Sequence, residues 1–115
     1  MENQSKKILI VEDDQFLREF YQELLQDQGY LMEVAADGEE GLAKIQQNEY
    51  NLVLLDIMLP KIDGLQILRQ LKIHSAPTPN LAIVVLTNLG QDAVIKECFN
   101  LGAAGFLIKS ALNPN

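Results

Sequence analysis

The sequence predicts an α/β fold, a doubly wound five-stranded parallel sheet in the order 2-1-3-4-5. Three observations predict it. Apolar runs alternate with segments of helical periodicity along the whole chain. The runs are apolar at consecutive positions, as in "LVLL" at 52–55, which is the pattern of strands covered on both faces. No internal repeat or low-complexity linker interrupts the alternation, so 1–115 reads as one domain. The first crossover and the later ones are expected to leave the first strand in opposite directions. That gives the stated order and puts a ligand site outside the carboxyl ends of the strands.

Each element has its own signal. Residues 7–11, "KILIV", form the first strand. Residues 14–28 form a helix, because Phe16, Leu17, Phe20, Tyr21, Leu24 and Leu25 recur as a two-wide stripe at four-residue spacing. Gly29 is its stop. A short strand runs from Leu31 to Ala35, and Asp37 caps a second helix through about Gln47, with Leu42 and Ile45 inward. The third strand is 51–56. Asp63 caps a third helix carrying Leu65, Leu68 and Leu71, and "SAPTPN" at 75–80 is a loop. "LAIVVLT" at 81–87 is the fourth strand. Asp92 opens a fourth helix on Val94, Ile95, Cys98, Phe99 and Leu101, which stops at Gly102, and "AGFLIK" at 104–109 is the fifth strand.

Composition narrows the function classes. A net charge of −7 disfavours direct nucleic-acid binding or an anionic membrane surface and suits a cation or a basic partner. The single cysteine, Cys98, can form no internal disulfide and is expected to pack in the core of a protein from a reducing compartment. The polar start "MENQSKK" is no signal peptide, and no run is long enough to span a membrane. The expected location is the cytoplasm.

The residues ending the strands carry the chemistry. The first strand ends in Glu12 and Asp13, the third in Asp56, the fourth in Thr87 and the fifth in Lys109. In a parallel sheet these ends share one edge. Converging carboxylates repel unless a cation or proton intervenes. Mg²⁺ accepts such oxygen ligands, and no Cys or His cluster offers a zinc site. A carboxylate beside a divalent cation and a lysine can act as a nucleophile toward a phosphoryl donor. Asp56, at the end of an apolar strand, is then the candidate phosphoacceptor, with Lys109 and Thr87 facing the phosphoryl oxygens. Taken singly, each residue has an ordinary reading: Asp13 or Asp14 as a helix cap, Thr87 as a strand former, Lys109 as a solvated charge. Their joint placement gives them the sharper one.

"ILIVEDD" at 8–14, "LLDIMLPKIDG" at 54–64, "VLT" at 85–87 and "GFLIK" at 105–109 together resemble the receiver domain of bacterial two-component response regulators over essentially the whole chain. The resemblance implies phosphorylation of Asp56 by a partner histidine kinase or phosphotransfer protein. It implies Asp13 and Asp56 as direct Mg²⁺ ligands, the backbone carbonyl of Met58 as a further one, and Glu12 acting through water. Thr87 and Phe106 match the family's switch hydroxyl and switch aromatic. A downstream target would dock on the face of the fourth helix and fifth strand. Such a domain is a signalling switch rather than a metabolic enzyme, with at most slow self-phosphorylation and self-dephosphorylation.

Three departures stand out. Asn88 follows Thr87 where the family usually has Ala, Gly or Ser. Ser110 follows Lys109 where the family usually has Pro, and without Pro a trans bond is expected, since cis costs roughly 2.5–4 kcal/mol. The chain reads "SALNPN" where the family has a final helix, so that helix is apparently missing. The apolar sheet face it would cover is then left bare, which implies either a piece of a longer regulator or cover by a second copy in a homodimer.

Other functions fit less well. Aspartyl phosphatases carry a second acid two residues after the nucleophile, where this chain has Met58. A nucleotide-binding domain needs a glycine-rich loop where this chain has "EDDQ". A degenerate receiver serving only as a protein-interaction module is the remaining alternative.

Overall fold

The computed structural model describes residues 6–47, 49–73, 81–88 and 90–109. Five strands and four helices alternate among them. They are β1 (Lys7–Val11), α1 (Gln15–Asp27), β2 (Leu31–Ala35), α2 (Gly38–Gln47), β3 (Leu52–Asp56), α3 (Gly64–Ile73), β4 (Ala82–Thr87), α4 (Asp92–Asn100) and β5 (Gly105–Ile108). All strand pairs are parallel, and the order is β2-β1-β3-β4-β5, as the alternation predicted. The expectations for "SAPTPN", for Ser110 and for a missing final helix fall outside the described residues.

Local chemistry sets the helix starts. Asp14 caps α1, its Oδ1 accepting from the Leu17 N–H at 3.2 Å. Asp37 caps α2 by accepting from Glu40 N–H at 2.8 Å, and Glu40 reaches back to the Ala36 N–H at 3.0 Å. At α3 the exchange is fully reciprocal: Asp63 Oδ1 accepts from the Gln66 N–H at 2.9 Å and Gln66 Oε1 from the Asp63 N–H at 3.1 Å. Gly29 and Gly102 follow α1 and α4 with φ of 97° and 104°, the left-handed conformation that ends a helix.

Two apolar layers cover the sheet. The larger joins Leu9, Val11, Val53, Leu55 and Val85 to Ile45 of α2, Ile67, Leu68 and Leu71 of α3 and the buried Cys98 of α4. The smaller joins Ile8, Ile10, Leu54 and Leu86 to Tyr21, Leu17 and Leu25 of α1. Right-handed crossovers account for the split: α1 leads one way from β1, and the other three helices lead back.

The stripe on α1 divides. Its column Leu17, Tyr21 and Leu25 packs on the sheet, whereas Phe16 and Leu24 of the other column stay 62% and 47% exposed. A helix lying flat on a sheet buries a narrow stripe: Phe20 of the second column still packs half-buried against the same layer, and the two ends of that column fall beyond it. Phe99 departs in the same way: it is 45% exposed and leans on Phe106 rather than entering the core.

Candidate functional site

Successive residues of a strand point to opposite faces. Ile8 and Ile10 face α1, so Glu12 at the end of the same strand faces that side too. Leu54 gives Asp56 the same parity, and Leu107, paired with Leu86, gives it to Lys109. The periodicity of three strands thus sends two acids and a lysine to one side of one edge.

The geometry bears this out. Lys109 Nζ donates to Asp56 Oδ2 at 2.9 Å and stands 3.2 Å from Glu12 Oε1. Asp13 joins them: carboxylate oxygens of Glu12, Asp13 and Asp56 lie within 4.8 Å of one another. Glu12 and Asp56 are 0% and 1% exposed, while Asp13 faces solvent. Because Asp14 takes the capping role at α1, the Asp13 carboxylate is left for this cluster. The Met58 N–H donates to Asp56 Oδ1 at 3.1 Å, and the Met58 side chain is exposed beside the opening.

Burial dominates the electrostatics. It pushes the Glu12 carboxyl up to about 7, the Asp56 charge adding to it, while the Asp14 N–H and Lys109 pull back. Burial alone would lower the Lys109 ammonium, but the Asp56 and Glu12 carboxylates outweigh it and hold it above its ordinary value. One lysine therefore faces more carboxylate than it can neutralise. Hard oxygen donors in that surplus fit a small divalent cation such as Mg²⁺.

Thr87 and Phe106 have the other parity. Thr87 is buried, pairs with Ile108 in register, and its hydroxyl donates to the Asn88 carbonyl at 3.3 Å. Phe106 is 43% exposed and meets Phe99 of α4 edge-on, with ring centroids 6.2 Å apart. The carboxylates, Met58 and Lys109 are thus brought together, whereas Phe106 sits on the α4 side. Asn88 is exposed at the end of β4.

Two supporting residues escaped the sequence reading. Arg18 Nη1 donates to the carbonyl of Glu12 at 2.9 Å and reaches that of Asp13 at 3.4 Å, tying the acid-bearing turn to α1. Only the four-residue spacing from Asp14 hinted at it. Gly64 opens α3 against the end of β3. A Cβ there would come within 2.8 Å of the Asp56 carbonyl oxygen and of Ile57 Cα, so a side chain would force the helix away from the end of β3.

The family description "response regulator receiver domain" matches residues 8–114. The chain is 40% identical over 103 residues to the transcriptional regulatory protein DltR of Streptococcus agalactiae, covering 90% of this chain and 45% of DltR. It thus spans about half the length of that curated relative. Among solved structures it is similar to a CheY-like response regulator receiver domain protein from Methanospirillum hungatei, with 32% identity, a TM-score of 0.83 and 92% and 82% of the two chains covered. It is also similar to the chemotaxis protein CheY4 of Vibrio cholerae, with 30% identity, a TM-score of 0.81 and 92% and 88% covered.

Proposed function

The chain belongs to the response regulator receiver domain family of two-component systems, and from that premise we propose that it is a phosphoacceptor switch acting through Asp56. A carboxylate oxygen of Asp56 attacks the phosphorus of a phosphohistidine on a sensor kinase or phosphotransfer protein. The phosphorus–nitrogen bond breaks, the imidazole leaves with the electron pair and takes up a proton, and an aspartyl phosphate remains. The observation that carries this reading is Asp56 itself: 1% exposed, 2.9 Å from Lys109, within one cluster with Glu12 and Asp13. An unpaired buried carboxylate would be costly, and this one ends a core strand beside a lysine and a surplus of acid.

Asp13 and Asp56 would hold Mg²⁺ directly, with the Met58 backbone carbonyl, and Glu12 would act through water. When bound, the ion supplies positive charge to the phosphoryl oxygens. Lys109 holds one of those oxygens, and Thr87 offers its hydroxyl to another. That contact turns the end of β4 inward and biases Phe106 and α4, so the α4–β5 surface is the face a downstream partner reads. Self-phosphorylation from a small donor and self-dephosphorylation are slow accompaniments.

Incubation with acetyl phosphate and Mg²⁺, followed by intact mass measurement, tests the reading. Wild type should gain one phosphoryl group and Asp56→Ala none. NMR shifts on adding beryllofluoride should extend beyond the pocket into residues 90–108. A wild type that takes up no phosphoryl group under these conditions would leave the interaction-module reading, which the exposed Asn88 beside Thr87 favours.

A further inference from the structure

Beneath the acid cluster lies a polar atom with no part in the chemistry above. Tyr21 of α1 is 3% exposed and packs among Ile10, Leu54 and Leu86. Ile10 and Leu54 stand two residues before Glu12 and Asp56 on their strands and share their face. The tyrosine therefore fills the layer directly under the charged pocket, about 7 Å down the strands. Its hydroxyl is buried and has no hydrogen-bond partner among the described residues. Among the described residues one other buried side-chain oxygen shares that condition, Glu12 Oε1, which faces Lys109 as an ion pair without a hydrogen bond.

Phenylalanine would fill the same apolar space without burying a hydroxyl, and a buried hydroxyl is unfavourable unless it is satisfied. Burial raises the Tyr21 hydroxyl above its ordinary value, and the charges on Glu12, Lys109 and Asp56 act on it in turn, so the phenol tip lies in the field of the cluster. An unpartnered donor and an acceptor held only by the Lys109 ion pair, on adjacent layers of one face, are a setting in which a buried water bridges.

We propose that Tyr21 is a positioning residue for Glu12, its hydroxyl donating through one buried water to Oε1. The other oxygen, Oε2, accepts from the Asp14 N–H at 3.0 Å. The carboxylate is then tied at both ends, in the orientation in which it faces the cation. This rests on reading Glu12, Asp13 and Asp56 as the cation site.

Titration with MgCl₂ alone, by calorimetry and by near-ultraviolet difference spectroscopy, tests it on three proteins: wild type, Tyr21→Phe and Phe20→Leu. Tyr21→Phe keeps the ring and should weaken Mg²⁺ binding by about tenfold, the low end of what hydrogen-bond partners of ligands contribute. It should also abolish the tyrosine difference band that Mg²⁺ produces in wild type. Phe20→Leu, altered at the neighbouring position of α1, should melt lower but bind Mg²⁺ as wild type does. Wild-type affinity in Tyr21→Phe, or a persisting difference band, would overturn the proposal and leave the cation site standing. A wild type that binds no Mg²⁺ would overturn the cation site and this inference together.

Discussion

The two ends of the sheet each carry a lysine beside a carboxylate, and they are built differently. At the amino end, Lys7 Nζ lies 3.0 Å from Glu33 Oε2 and 5.2 Å from the centre of the Tyr50 ring, whose hydroxyl donates to Glu33 Oε1 at 2.6 Å. Each charge has its partner, and the pair is about one-third exposed. The Tyr50 hydrogen bond and then Lys7 hold the Glu33 carboxyl below its ordinary value. At the carboxyl end, Lys109 faces both Glu12 and Asp56, Asp13 stands beside them, and burial drives Glu12 the opposite way. The first cluster is closed and the second is in surplus. A pair of charges therefore does not mark a site; uncompensated charge in a desolvated place does.

The largest expected break of this contrast is Lys109→Met. In metal-free buffer at pH 8 it leaves two buried carboxylates without a cation and should cost about 3 kcal/mol in urea unfolding. The corresponding Lys7→Met removes a partly exposed pair and should cost below about 1 kcal/mol. Equal losses would mean that the two ends are not different in kind.

Next in size is the response to pH. The folded state holds the Glu12 proton to about 7 against an ordinary 4.5, so between those values the unfolded chain binds fewer protons. Stability of the metal-free protein should therefore fall as pH rises from about 4.5 to 7 and level off above, by roughly 3 kcal/mol in all. Glu12→Gln should remove that slope and be the more stable protein at pH 8. Glu33 runs the other way: its depressed carboxyl contributes stability that is present above pH 4.5 and lost as pH falls below it. A Glu33→Gln variant should keep the slope between pH 4.5 and 7.

The smallest effect separates the clusters by ligand. Mg²⁺ at ten times its dissociation constant should stabilise wild type by about 1.4 kcal/mol, because it binds only the folded state. Thermal melts should show this gain in Glu33→Gln and not in Asp13→Asn. A gain that survives Asp13→Asn would move the cation elsewhere.

Much of the fold was legible because its signals are local. Asp37 and Asp63 cap the helices they were expected to cap, and β1 and β2 match their expected bounds. The stripe on α1 holds for Leu17, Phe20, Tyr21 and Leu25 and fails at Phe16 and Leu24, because contact with a flat sheet decides how wide a stripe is buried. The residues Glu12, Asp13, Asp56 and Lys109 were legible from their places at strand ends. Arg18 was not: an arginine on a helix looks like a solvated charge until the turn above it is in place.

By itself the sequence determined the alternation of strands and helices, the caps, and which side-chain chemistry ends each strand. These depend on steric and hydrogen-bonding preferences within a few residues. Tertiary structure alone decided that Asp56 and Lys109, 53 residues apart, meet at 2.9 Å. It decided that Asp14 caps while Asp13 turns to the cluster, and that Glu12 keeps its proton to about 7. A carboxyl's affinity for a proton is set by the water it loses and the charges it faces, and both are supplied by chain segments far away in the sequence.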